Sequence, residues 1–174
     1  MQYFSGFLFE NEAELFSEYI PKGAGVVAGF SYGAIKAFEY AYSSGKRVER
    51  LILLSPAFFE DKNESYIKKQ LKYYDTTSYK ESFFSNVAYP SDIDLSSYYH
   101  PHSKEDLEIL LRHRWDRVKF KELTMRGITI EVFLGKKDRI INASKANEFF
   151  SEFAITYLIK ESGHSLQLAT QSDS

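Results

Sequence analysis

The segment of residues 26–35, with the sequence VVAGFSYGAI, restricts the possible folds of this chain more than any other. It begins as an apolar run typical of a buried strand, continues as Gly-x-Ser-x-Gly, and passes into apolar positions with helical spacing. Gly29 and Gly33 fit a tight strand-to-helix turn because a Cβ at either place would collide with neighbouring backbone. The central serine hydroxyl of such a turn projects above the sheet, so the segment predicts that Ser31 is a nucleophile. A strand-turn-helix junction without chemistry is the alternative.

The rest of the chain predicts an α/β domain with a mostly parallel sheet, because apolar strands alternate with amphipathic helices. Strands are predicted at residues 2–4, 26–30, 50–55, 128–134 and 154–159, and helices at residues 11–20, 31–44 and 143–152. Asn11 and Glu14 have the spacing of a capping box at the start of the first helix. The pattern leaves open whether the C-terminal tail, the inserted segment or a second subunit covers the second face of the sheet.

Residues 57–125 lack strand patterns and predict a helical lid inserted into a single domain that spans residues 1–174. Helices are predicted at residues 64–73, 79–86 and 104–123, the last with Ser103 as its N-cap and Asp106 at the capping-box position. A surface insertion without a role is the alternative.

Composition excludes several classes of function. The chain has no cysteine, which excludes disulfides, thiolate nucleophiles and cysteine zinc sites. Its net charge of −2 gives no overall attraction to nucleic acid or to a membrane. The N-terminus lacks the pattern of a signal peptide, and no apolar run approaches the roughly 18 residues that span a bilayer. We therefore expect a cytoplasmic protein with neither nucleic acid nor membrane as partner.

Chemistry-bearing residues follow the predicted strands at their carboxyl ends, where the active sites of parallel sheets form. Gly6-Phe7, Ser31, Asp138 and His164 all occupy such positions. A serine nucleophile needs a base within hydrogen-bond reach, and the base needs a third group that orients it. His164 can be that base and Asp138 the orienting acid. The order Ser, Asp, His is the one that α/β-hydrolases use.

Other assignments of acid and base remain open at this point. Glu60 and Asp61 follow the preceding strand and compete for the role of the acid. His164 could instead be a surface histidine. His100 and His102 flank a proline and suggest a metal site, but no carboxylate or cysteine lies at ligand spacing, so no metal is expected.

Acyl transfer also needs hydrogen-bond donors for the developing oxyanion, each worth roughly 3–4 kcal/mol in the transition state. The backbone N–H of Tyr32 is one candidate by its position after the serine. The backbone N–H of Phe7 is the second, because Gly6 before it allows the loop to approach the site closely. A plain strand-helix turn is the alternative for this loop.

Several segments resemble a known enzyme family, the short pimeloyl-acyl-carrier-protein methyl ester esterases of biotin synthesis, the BioV type. The resemblance covers both ends of the chain well and the predicted lid poorly. It rests on Phe4-Ser5-Gly6-Phe7, Asn11-Glu12-Ala13, residues 29–37 (GFSYGAIKA), residues 39–42 (EYAY), residues 130–135 (IEVFLG) and Lys137-Asp138-Arg139-Ile140.

This resemblance implies a trimmed α/β-hydrolase that removes the methyl ester from a pimeloyl chain and leaves its thioester to the carrier protein intact. Ser31, Asp138 and His164 match the family's catalytic triad, and Phe7 matches the aromatic residue after the oxyanion-loop glycine. Neither a metal nor an organic cofactor is implied. The implied partner is an acidic acyl carrier protein that presents the pimeloyl methyl ester.

An acyl chain on a carrier needs an apolar channel and a docking surface. Aromatic residues of the insertion are candidates for the channel, with core packing as the alternative: Phe58, Phe59, Tyr73, Tyr74, Phe83, Phe84 and Trp115. Basic residues crowd one stretch and are candidates for contact with an acidic carrier, with a solvated helix face as the alternative: Arg112, Arg114, Arg117, Lys119 and Lys121.

Overall fold

A computed structural model describes residues 1–170, and within them five parallel strands form one sheet in chain order. The strands are β1 (Gln2–Phe4), β2 (Val26–Phe30), β3 (Arg50–Leu54), β4 (Thr129–Gly135) and β5 (Ile155–Ile159). Each strand pairs in parallel with the next one along the chain. The predicted α/β fold class is confirmed.

Six α-helices and two short 3-10 helices complete the described part of the chain. The α-helices are α1 (Tyr32–Ser43), α2 (Glu64–Tyr73), α3 (Thr77–Ala88), α4 (Lys104–Arg112), α5 (Arg117–Met125) and α6 (Ala143–Phe150), and the 3-10 helices are Glu12–Phe16 and Ser96–Tyr98. Helices α2 to α5 lie between β3 and β4. We call the segment of residues 57–125 that contains them the helical insertion.

Helices α1, α5 and α6 cover the first face of the sheet. Leu51 and Leu53 point to this side from β3, and both are fully buried. Across from them, Phe38 of α1 and Phe120 of α5 have ring centroids 4.4 Å apart. Burial of such large side chains, each worth about 1.5–3 kcal/mol, supplies the main core.

Short segments rather than long helices cover the second face. Phe9 and Phe16 pack their rings against Phe30 of β2, with centroids 5.7 and 4.7 Å away. The end of α3 and Leu166 join the same cluster. Parts of both the insertion and the C-terminal region therefore cover this face, beside residues 9–20, whereas β5 at the sheet edge leaves Ile155 51% exposed.

Two predicted helices differ from the observed ones. The helix at residues 11–20 is only a short 3-10 helix, because Asn11 has a left-handed backbone with φ of 61° and its side chain makes no capping hydrogen bond. The helix at residues 104–123 is two helices, because the Asp116 side chain accepts hydrogen bonds from the Val118 and Lys119 N–H groups and so caps a new helix. The predicted capping box of Ser103 and Asp106 is present at the start of α4.

Among residues 1–170, no helix is both long and apolar enough to cross a membrane.

Candidate active site

Ser31 lies at the strained turn between β2 and α1. Its φ of 54° and ψ of −115° are unfavourable for a residue with a Cβ, and it is only 5% exposed. Both flanking glycines are required sterically, since a Cβ on Gly29 would lie 2.1 Å from the carbonyl oxygen of Gly33 and one on Gly33 would lie 2.1 Å from that of Phe4. The turn has the geometry that the sequence motif predicts.

Hydrogen bonds connect Ser31, His164 and Asp138 in a line. His164 Nε2 lies 3.1 Å from Ser31 Oγ, and His164 Nδ1 lies 2.6 Å from Asp138 Oδ2. The side chains of His164 and Asp138 are both 0% exposed. Because an ionised carboxylate can only accept, the proton of a neutral His164 belongs on Nδ1, which leaves Nε2 free to accept the serine proton.

Asp138 is fixed through its second oxygen. Oδ1 accepts hydrogen bonds from the backbone N–H groups of Ile140 and Ile141, at 2.7 and 2.9 Å. The competing acids point elsewhere: Glu60 lies 3.7 Å from Arg114, and Asp61 lies 3.4 Å from a lysine. The structure brings Asp138, and neither of these two, to the histidine.

His164 is held through its backbone as well as its ring. Ser55 Oγ donates a 2.6 Å hydrogen bond to the His164 carbonyl oxygen. Next to it, Gly163 lies so close to the α3–α4 connection that a Cβ would be 1.9 Å from the Tyr89 carbonyl oxygen. The imidazole therefore has little freedom to leave the serine.

The loop after β1 leaves one backbone donor free where the sequence predicts an oxyanion hole. The Gly6 N–H donates to Glu12 Oε1 at 2.8 Å, and the Leu8 N–H donates to His102 Nδ1 at 3.1 Å. Between them, the Phe7 N–H has no acceptor within residues 1–170.

Phe7 and Ser31 line the same pocket. The second predicted donor, the Tyr32 N–H, belongs to the first residue of α1, where backbone N–H groups lack intrahelical partners. Both N–H groups that the sequence predicts as donors therefore lack an acceptor within residues 1–170 and are available to a ligand. Their role in stabilising an oxyanion stays a prediction.

Sequence reasoning missed Glu12, which anchors this loop from behind. Glu12 is 0% exposed, and its Oε1 also accepts a 2.9 Å hydrogen bond from the Tyr3 hydroxyl. Its Oε2 has no partner within the described part of the chain. Burial, and next the nearby carboxylate of Glu12, raise the pKa of Tyr3 far above its usual range. In the sequence, Glu12 is simply one of several acids on a predicted amphipathic helix.

A pocket of about 420 Å³ opens above Ser31. That volume is within the range of small-molecule sites, roughly 300–1,000 Å³. The pocket is lined by Phe7, Ser31, Phe59, Tyr66, Lys69, Gln70, Tyr73, Tyr79, Ser82, Phe83, Asn86, Leu107, Leu110, Leu111, Arg139 and Ile140. Most of the lining comes from α2, α3 and α4 of the helical insertion.

Among the aromatic residues expected to line a channel, Phe59, Tyr73 and Phe83 do so. The remaining four serve other contacts; for example, Trp115 packs on Phe38 and donates a 2.9 Å hydrogen bond to the Ala57 carbonyl oxygen. The leucines of α4 were missed because their helical spacing predicts only a core-facing stripe.

Four of the five basic residues at 112–121 pair with carboxylates of the same chain. Arg112 makes a two-pronged ion pair with Glu64 at 2.7 Å, and Lys119 lies 2.8 Å from Glu39. Arg114 and Arg117 also have carboxylate partners, and for Lys121 no ion pair is present within residues 1–170. Acids from distant parts of the chain therefore compensate most of this charge.

Comparison with protein-family models found no match, and comparison with curated protein sequences found none either. Solved structures do match. An esterase from Exiguobacterium antarcticum superposes with a TM-score of 0.65 and 22% identity, over 87% of this chain and 63% of the esterase. BioG from Haemophilus influenzae gives a TM-score of 0.58 and 11% identity, over 94% of this chain and 87% of BioG.

The naproxen esterase, a carboxylesterase from Bacillus subtilis, gives a TM-score of 0.58 and 16% identity, over 94% of this chain and 76% of the esterase. Identities this low bear on fold alone, and the chain spans less than two thirds of the length of the Exiguobacterium esterase. Together with the parallel sheet and the serine turn after β2, these matches show that the chain has the α/β-hydrolase fold.

Proposed function

We propose that this protein is a serine hydrolase of carboxylic esters, with Ser31 as nucleophile, His164 as general base and Asp138 as the acid that orients the histidine. The hydrogen-bonded line from Ser31 through His164 to Asp138 carries this proposal, because the side chains of His164 and Asp138 are buried and Ser31 lines a pocket of suitable size.

The reaction follows from the geometry in two halves. In the first, Ser31 Oγ attacks the ester carbonyl while His164 Nε2 takes its proton, and the same proton then passes to the leaving alkoxide. In the second, water gives a proton to His164 and attacks the acyl-serine; the bond to Ser31 Oγ then breaks, His164 returns the proton to that oxygen, and the acid is released. Asp138 stabilises the imidazolium in both halves without taking its proton.

Negative charge develops on the carbonyl oxygen at each attack. The backbone N–H groups of Phe7 and Tyr32 are the donors that would receive it, and loss of one such donor typically lowers kcat about 10²–10³-fold. Neither donor needs to break a hydrogen bond within the described residues before it can act.

The substrate that we propose is the methyl ester of a pimeloyl chain on an acyl carrier protein, cleaved to methanol and the pimeloyl carrier. The segment resemblance supports this assignment, and the aromatic and aliphatic side chains that make up most of the pocket lining suit an acyl chain. The helical insertion would then act as the lid over that chain. The pocket lining contains two cations, Lys69 and Arg139, and no acid from the described part of the chain.

The proposed contact with an acidic carrier protein depends on the basic residues at 112–121. Most of the basic stretch expected to meet an acidic partner is already paired with carboxylates of this chain. If Arg112 and Arg117 nevertheless contact the carrier, charge reversal at both should raise KM for the carrier-linked ester and spare small esters. An equal loss on both substrates would remove the docking role.

The proposed function is tested by measuring methanol release and free-thiol release from one carrier-linked pimeloyl methyl ester, with methyl esters of small acids alongside. Methanol release that Ser31→Ala abolishes, without thiol release, is the expected result. Thiol release instead would make the enzyme a thioesterase. No product from any ester or thioester would contradict the proposal.

A further inference from the structure

His102, from the helical insertion, binds directly to the oxyanion loop. Its Nδ1 lies 3.1 Å from the Leu8 backbone nitrogen, across 94 residues of sequence. The imidazole also packs on both predicted oxyanion-hole residues, with centroids 5.1 Å from the Phe7 ring and 6.2 Å from the Tyr32 ring. The relay of Ser31 and His164 does not use this histidine.

The hydrogen bond fixes the protonation state of His102. A backbone N–H can only donate, so Nδ1 must be unprotonated where it meets Leu8. A second acceptor, the His100 carbonyl oxygen, lies 3.4 Å from the same nitrogen. Protonated Nδ1 could donate to His100 but could no longer accept from Leu8.

This contact is one of three hydrogen bonds that hold the peptide groups around Phe7. The Gly6 N–H is held by Glu12, the Gly6 carbonyl oxygen accepts from the Phe9 N–H at 3.1 Å, and the Leu8 N–H is held by His102. A trans peptide is planar with its C=O and N–H opposed, so fixing the Gly6 carbonyl fixes the direction of the Phe7 N–H. The hydrogen bond from the Leu8 N–H to His102 fixes the next peptide group, between Phe7 and Leu8. Leu8 itself has a strained φ of 64°, which this bond helps to maintain.

We propose that His102 is a positioning residue that holds the oxyanion loop in its working conformation, and that it does so only while its Nδ1 accepts from Leu8. This inference rests on the proposed ester hydrolysis for its effect on rate. It adds a link between the helical insertion and the catalytic centre, because His102 is itself fixed by the residue that follows α2: the Tyr74 hydroxyl donates a 2.6 Å hydrogen bond to the His102 carbonyl oxygen.

The surroundings of His102 favour its neutral form. Burial lowers its pKa below the ordinary value near 6.5, and the positive charges of Lys36 and His100 act in the same direction. The His100 carbonyl oxygen and the carboxylate of Asp106 oppose this shift. Because the folded pKa is below the unfolded one, the stability due to this site is complete above the unfolded pKa and is lost as the pH falls through the folded pKa.

Two substitutions at His102 distinguish its role as a hydrogen-bond acceptor from the other effects of its imidazole ring. His102→Asn keeps an acceptor oxygen near the place of Nδ1 but cannot titrate, and His102→Leu removes the acceptor. On a small methyl ester, His102→Leu should lower kcat about 10–100-fold with little change in KM, by weakening one oxyanion donor. His102→Asn should recover most of kcat and lose less activity than wild type toward acid pH. His100→Asn, a change at the exposed neighbouring histidine, serves as the matched control and should resemble wild type.

A second measurement does not depend on activity. The exchange rate of the Leu8 amide hydrogen, followed by NMR, should be slow in wild type and in His102→Asn, and faster in His102→Leu. Wild-type kcat in His102→Leu, equal loss in both variants, or unchanged Leu8 exchange would overturn the inference. If wild type cleaves no ester, the proposed function fails, and the Leu8 exchange still decides whether His102 holds the loop.

Discussion

Replacing Asp138 by asparagine probes the site most sharply, because the two oxygens of this side chain have different partners. Oδ2 faces His164 Nδ1 at 2.6 Å, while Oδ1 accepts from the N–H groups of Ile140 and Ile141. An amide has only one oxygen. If that oxygen faces the two backbone donors, the NH₂ group faces His164 and forces Nδ1 to accept. The proton then moves to Nε2, which can no longer take the proton of Ser31.

The opposite orientation of the amide is unfavourable. With its oxygen toward His164, the NH₂ group would oppose two backbone N–H donors and leave them unpaired in a buried place, at a cost of about 1–3 kcal/mol for each group. The structure therefore predicts the inactive tautomer. A wrong tautomer in a comparable triad lowers kcat about 10⁴-fold, which corresponds to roughly 5 kcal/mol in the activation free energy.

The assay is the steady-state hydrolysis of a small methyl ester, with circular dichroism to verify the fold. Asp138→Asn should lower kcat by about four orders of magnitude with little change in KM. Asp61→Asn is the matched control and should retain activity, since Asp61 lies beside Lys62 and not beside the histidine. Near wild-type activity in Asp138→Asn, together with a large loss in Asp61→Asn, would refute this reasoning.

Three further substitutions test how the fold supports the site. Trp115→Phe removes the donor to the buried Ala57 carbonyl oxygen and should lower the free energy of unfolding by about 1–3 kcal/mol in urea denaturation; a change under about 0.5 kcal/mol would contradict this. Gly163→Ala places a Cβ 1.9 Å from the Tyr89 carbonyl oxygen, so the backbone before the catalytic histidine must shift and kcat should fall; unchanged kcat would contradict this and show that the loop after β5 adapts. Glu12→Leu removes the acceptor behind the oxyanion loop and should lower kcat about tenfold or more, with Glu12→Gln losing less; equal kcat in the two variants would argue against the anchor.

The sheet and the line of three side chains could be predicted because each depends on a local pattern. An apolar run stopped by a glycine or a proline marks a strand end, and parallel strands bring their carboxyl ends to one edge. Ser31, Asp138 and His164 each follow such a run, so their meeting could be predicted without any detail of the insertion.

The supports of the oxyanion loop could not be predicted in this way. His102 reaches Leu8 across 94 residues, and no local pattern encodes that contact. The capping-box spacing of Asn11 and Glu14 predicts an amphipathic helix and gives Glu12 no special role, whereas Asn11 in fact has a left-handed backbone and Glu12 is fully buried.

The local charge pattern also predicts the basic surface incompletely, because carboxylates distant in sequence pair with the cations. Residues 112–121 are rich in cations and contain only one acid, Asp116. Their partners Glu64 and Glu39 are brought in by other helices. A local charge count therefore overstated the basic surface available to a partner.

The central claim is that Ser31 is the nucleophile, and intact-protein mass spectrometry after treatment with a fluorophosphonate tests it most directly. Ser165, whose buried hydroxyl lies next to the histidine in sequence, provides the matched control. We expect one covalent adduct on wild type and on Ser165→Ala, none on Ser31→Ala, and loss of esterase activity in step with labelling. An unlabelled wild type, or a Ser31→Ala variant labelled as readily as wild type, would contradict the claim.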